Sequence, residues 1–125
     1  MPHRIATLLA MAALSFSAMP SATAGEADVV AVDAQMTASG VWRFDVTVSH
    51  SDEGWDHYAD QWDVVAPDGT VLGVRVLAHP HVNEQPFARS LSGVEIPDDV
   101  STVTVRARDS VHGYGGAEME VRLEP

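Results

Sequence analysis

Hydrophobic and polar residues alternate with a period of two along most of the chain. The clearest run is Val41 to His50, where Trp42, Phe44, Val46 and Val48 fall on one side and Arg43, Asp45, Thr47 and Ser49 on the other. Successive strand side chains point to opposite faces, so this is the pattern of a half-buried strand, and His50 continues its inward register. Ala27 to Met36 carries Val30, Val32, Ala34 and Met36 in the same phase, and Ser101 to Asp109 sets Val103, Val105 and Ala107 against Thr102, Thr104, Arg106 and Arg108. Ala117, Met119, Val121 and Leu123 alternate with Glu118, Glu120, Arg122 and Glu124. Gln61–Ala66, Val71–Ala78 and Phe87–Ile96 complete seven predicted strands, the last of them weakened or bulged near Ser92-Gly93. No helical period occurs after residue 25. The expectation is all-β: a single antiparallel β-sandwich of about seven strands, of the immunoglobulin or fibronectin type III kind.

Connections between antiparallel strands alternate between the two ends of such a sandwich. One end receives Thr37-Ala38-Ser39-Gly40, Pro67-Asp68-Gly69-Thr70 and the turn at 97–100, all short and built from turn-forming residues. The other receives the segments 50–60, 79–86 and 109–116. His50, His57, His79, His81 and His112 all belong to that second set, with Asp52, Glu53, Asp56, Asp60, Glu84 and Asp109. Trp55 and Tyr58 sit in the same loops, whereas Trp42 and Trp62 are expected in the core.

The N-terminus changes the address. His3 and Arg4, an apolar run from Ile5 to about Phe16, Pro20, and the small residues Ala22-Thr23-Ala24 read as a secretory signal peptide over 1–24, leaving a sandwich domain over 25–125. The apolar run is shorter than the ~20 residues of a membrane span, so no membrane insertion is expected. The destination is periplasmic or secreted. With 18 acids against 7 Lys-plus-Arg residues and a formal net charge of −11, no nucleic-acid partner is expected, on electrostatic grounds. The chain has no Cys, so neither disulfides nor thiolate ligands are available.

Candidate chemistry therefore rests on nitrogen and oxygen donors. His79-Pro80-His81 places two imidazoles two apart on a stiff backbone, because Pro80 and Pro86 fix φ and hold the preceding residues extended. Joined by His57, His112 and His50, with Asp56 or Asp60 completing the shell, they form a candidate site for Zn(II) or Cu(II). Ca(II) is a lesser alternative, since the acids of 52–60 lack an EF-hand pattern. In the plainer alternative, His79 and His81 cap strand ends while His57 and His112 bond to acids. No Gly-x-Ser-x-Gly or His-Glu-x-x-His motif occurs, so no catalytic residue is assigned.

Gly54-Trp55-Asp56-His57-Tyr58-Ala59-Asp60, Leu77-Ala78-His79-Pro80-His81-Val82 with Gln85-Pro86-Phe87, and Val111-His112-Gly113-Tyr114-Gly115-Gly116 together resemble segments of a group of small exported bacterial proteins with an Ig-like β-sandwich. No activity is known for that group, so the resemblance implies fold and export alone. The functional expectation is an exported protein for Zn(II) or Cu(II) handling or delivery. The alternative is a metal-free interaction module that docks an exported protein partner through the same loops.

Overall fold

A computed structural model describes residues 25–125; the expected signal peptide at 1–24 lies outside the described residues. Seven strands follow in order: β1 (Asp28–Ala38), β2 (Val41–Ser49), β3 (Ala59–Val65), β4 (Val71–Val76), β5 (Phe87–Glu95), β6 (Thr102–Asp109) and β7 (Met119–Arg122). They form two antiparallel sheets, ordered β1-β2-β5 and β4-β3-β6-β7. No helix occurs among the described residues.

The period-two pattern decides what each strand buries. Trp42, Phe44, Val46 and Val48 of β2 face Trp62 and Val64 of β3 and Val103, Val105 and Ala107 of β6 in one apolar cluster shared by both sheets. Trp42 and Trp62 take the core positions expected of them. Between Trp42 and Phe44, two residues of β5, Ser92 and Gly93, oppose one of β2, Arg43, since Trp42 pairs with Val94 and Phe44 with Leu91. Gly93, at φ 72°, supplies the backbone conformation for this bulge.

β3 is buried on both faces because the 110–118 loop folds over its outer side. Asp63 there accepts hydrogen bonds from Arg106 Nε at 2.8 Å and Tyr114 Oη at 2.7 Å. The Arg106 guanidinium also lies 4.0 Å from the centre of the Tyr114 ring. The Asp63 hydrogen bond raises the Arg106 pKa, whereas burial and then Asp63 push the Tyr114 phenol up. A buried carboxylate is thus paired twice, and the loop is pinned.

The two ends differ as the alternation predicts. The turns at 39–40, 66–70 and 96–101 lie at one end, beside a cleft of about 230 Å³ lined by Met36, Trp42, Ile96 and Pro97 among others. At the other end the loops 50–58, 77–86 and 110–118 touch one another. Ser110 N–H donates to Tyr58 O, and His81 N–H donates to Asp52.

Candidate metal centre

Two strands deliver polar side chains to the loop end of the core by carrying their inward register one step beyond the apolar residues. In β2 the series Trp42, Phe44, Val46, Val48 ends in His50; in β6 the series Val103, Val105, Ala107 ends in Asp109. The strands belong to different sheets, so the two residues face each other across the sandwich, and both side chains are fully buried. The loop before β3 adds His57. Among the described residues, His50, His57 and Asp109 each offer a ligand atom to one place, with all three atoms within 4.8 Å of one another.

Each histidine is oriented from behind. His50 Nδ1 meets Asp52 Oδ1 at 2.6 Å, and His57 Nδ1 meets Glu53 Oε1 at 2.7 Å. Because the carboxylates accept, the Nδ1 atoms donate. Each Nε2 then faces away from its acid: His57 Nε2 lies 3.2 Å from Asp109 Oδ1, and His50 Nε2 lies 2.9 Å from Gly25 O and 4.0 Å from Asp109 Oδ2. The 3.2 Å contact is an ion-pair distance without hydrogen-bond alignment, so His57 Nε2 stays buried with no hydrogen-bond partner. Orphaned buried nitrogens are costly in a packed protein, and this one points where an ion would sit.

The electrostatics agree with the geometry. Burial lowers the His57 pKa, but the Glu53 hydrogen bond and the charges of Asp109 and Glu53 outweigh it, and the net shift is upward. Burial raises the Asp109 carboxyl, yet the N–H groups of His112 and Val111 and the His112 ring pull it further down, to below its ordinary value. Asp109 is consequently an anion at neutral pH, aimed at two imidazoles.

His112 flanks this group. Its Nδ1 is 3.2 Å from both Asp109 oxygens, and its ring lies 5.0 Å from that of His57, on the more exposed side. The His79 and His81 rings sit together as expected, 4.7 Å apart, but they are not part of the three-residue group. His81 stacks on Phe87 at 4.0 Å and its Nε2 accepts a hydrogen bond from Arg89 Nη2 at 2.8 Å. A neutral imidazole has one in-plane lone pair, and here it is spent on a guanidinium. His79 is exposed, its Nδ1 donating to Pro80 O at 3.1 Å. Asp56 is exposed, and Asp60 pairs with Arg108 at 3.1 Å.

Two acids matter more than their sequence context suggested. Asp109 could have been found by extending the β6 alternation by one position. Asp52 joins the loops: its Oδ1 accepts from His50 and from Ala59 N–H at 2.9 Å, its Oδ2 from His81 N–H at 2.7 Å. Nothing local marks that role, because its partners come from three separate segments.

A protein of Halomicrobium mukohataei named "Putative lipoprotein" is 43% identical to this chain over 99 residues, which make up 79% of this chain and 48% of that protein. The chain thus spans about half the length of the curated relative it matches. No family model and no solved structure matches the sequence.

Proposed function

We propose that the chain is an exported protein that holds Zn(II) or Cu(II) between His50, His57 and Asp109, with His112 guarding the exposed side. The reading includes a signal peptide at 1–24 and one domain over 25–125. The observation that carries it is the shared orientation of His50 and His57. Each has a carboxylate behind Nδ1 and its Nε2 within 4.0 Å of Asp109, and metal-ligating histidines are ordinarily fixed by outer carboxylates in this way. Two imidazoles and a carboxylate without sulfur suit Zn(II) and Cu(II). Burial of the ligands favours holding the ion over passing it on quickly.

Export is supported by the N-terminal pattern and by the printed name of the similar protein, "Putative lipoprotein". The strand order supports the immunoglobulin or fibronectin kind of sandwich. Lettered in sequence, β1-β2-β5 stand as A-B-E, and β4 joins the second sheet beside β3 as C′ joins C.

A thermal melt of the metal-stripped protein tests the centre. An ion that binds only the folded state, at a hundredfold excess over Kd, stabilises by about 2.7 kcal/mol. The expected result is such a shift with Zn(II) or Cu(II), absent with Ca(II). No shift with any of these ions refutes the reading.

One observation favours a second reading. Trp55 is 68% exposed in the loop beside the centre, packed edge-on against Tyr58 at 5.6 Å and next to exposed Asp56. An exposed indole among acids is a natural anchor for an exported protein partner with a basic surface. Trp55→Ser would then abolish capture of that partner while leaving the metal-dependent melt unchanged.

A further inference from the structure

Gly25 borders the same centre. Its carbonyl oxygen is 2.9 Å from His50 Nε2. The residues after it are seated on the 110–118 loop: Val29 N–H donates to Ala117 O at 2.8 Å, and Asp28 Oδ1 accepts from Ala117 N–H at 2.7 Å. Two glycines keep this track open. A Cβ on Gly116 would overlap Ala27 O, and one on Gly115 would come within 2.9 Å of Glu26 Cγ. The chain is therefore held at a defined place when it reaches His50, and Gly25 is the residue that cleavage after Ala22-Thr23-Ala24 would make the first.

We infer that removal of segment 1–24 creates a further ligand: the α-amine of Gly25, which with the Gly25 carbonyl oxygen closes a chelate on the ion held by His50, His57 and Asp109. The inference rests on the proposed metal centre. In the uncleaved chain the Gly25 nitrogen is a planar amide whose lone pair is delocalised, a poor donor to a divalent ion. Cleavage turns it into an amine. Nitrogen, Cα, carbonyl carbon and oxygen then form a small, favourable chelate ring with the ion.

The distances suit this role. Two donor atoms at right angles, each about 2.05 Å from an ion, lie about 2.9 Å apart, which is the separation of Gly25 O and His50 Nε2. An ion seated between these two atoms would replace their direct contact, bound by the Nε2 lone pair on one side and the carbonyl oxygen on the other. The completed donor set has two imidazoles, an amine, a carboxylate and a carbonyl. Among the divalent ions considered, such a nitrogen-rich set is strongest for Cu(II) by the general affinity order.

The composition makes the test clean, because the sequence contains no Lys and all seven of its Lys-plus-Arg residues are Arg. Mild acylation with an acetyl ester thus modifies the α-amine alone among the amines. The full chain would be exported, the processed protein purified and weighed by intact mass, and its metal stripped. Half would be acetylated while folded, and Cu(II) affinity of both halves measured against a chromophoric chelator. The expected result is an N-terminus at Gly25 and a loss of at least about tenfold in affinity on acetylation. Equal affinity of the two halves, as when the amine is only a counter-charge for Asp109, overturns the inference and leaves the centre standing. An N-terminus elsewhere also overturns it. If neither half binds Cu(II) or Zn(II), the centre and the inference fall together.

Discussion

His57 and His81 are both buried histidines from loops at the same end of the sandwich, and both have a backbone or ring contact within one residue of Asp52. Their surroundings drive them in opposite directions. His57 faces Glu53 and Asp109, and these carboxylates raise its pKa against the effect of burial. For His81, burial, the Arg89 guanidinium and the neighbouring His79 all lower it, and Glu84 and Asp52 do not compensate. What distinguishes a candidate ligand from a structural imidazole is the charge at the far nitrogen. An anion there leaves room for a shared cation, whereas a guanidinium already is the cation.

The strongest way to break the comparison is to remove the residue both histidine groups share. Asp52→Ala leaves buried donors from His50, Ala59 and His81 unpaired, and its cost is expected at about 3–5 kcal/mol. At 4–8 °C per kcal/mol for a domain of this size, the melting temperature should fall by roughly 12 °C or more. A loss of only a few degrees would mean that the loops hold together without it.

Asp109→Asn should come next, erasing the metal-dependent shift of about 2.7 kcal/mol while His81→Gln retains it. Calorimetry of both variants with and without Zn(II) or Cu(II) distinguishes the two groups directly. Retention of the shift in Asp109→Asn, or its loss in His81→Gln, would reverse their assignments.

A smaller effect separates the two by pH in the metal-free protein. The raised pKa of His57 gives a contribution to stability that is full below about pH 6.5 and lost as pH rises through the folded value. His57→Gln should thus be more destabilising at pH 5.5 than at pH 8.5. The lowered pKa of His81 gives the reverse: its contribution is present above about pH 6.5 and lost as pH falls through the folded value, so His81→Gln should cost more at pH 8.5. Urea titrations at both pH values check the crossover. His79→Ala should have the least effect, within about 0.5 kcal/mol, since the ring is exposed.

The strands were legible because each has one wet and one dry face, and alternation records that directly. The crowding of histidines at one end followed from strand parity without any knowledge of pairing. His50 was placed inward by the phase of β2, and the Ser92-Gly93 bulge by the break in the β5 pattern. The selection among the histidines was not legible. His79 and His81 are neighbours in sequence and in space, but Arg89 reaches back from β5 to occupy one of them. Asp109 lies far enough from His50 and His57 in sequence that only the packing of two sheets brings it to them. Trp55 shows the same limit: a place in the loop does not say which aromatic faces inward, and Tyr58 is half-buried while the indole stands outside.

The inward position of Asp109 has a bearing on how the chain finds its alignment. A one-residue slip of β6 against β3 would turn Val103, Val105 and Ala107 to solvent and bring Arg106 and Arg108 inward. Arg108 would then stand where Asp109 does, a cation pressed against His50 and His57. Mispairing would therefore strip both rings of their carboxylate neighbour as well as losing apolar burial, and at the same end of the molecule. The carboxylate thus proofreads the alignment of the strands, whether or not anything is bound there.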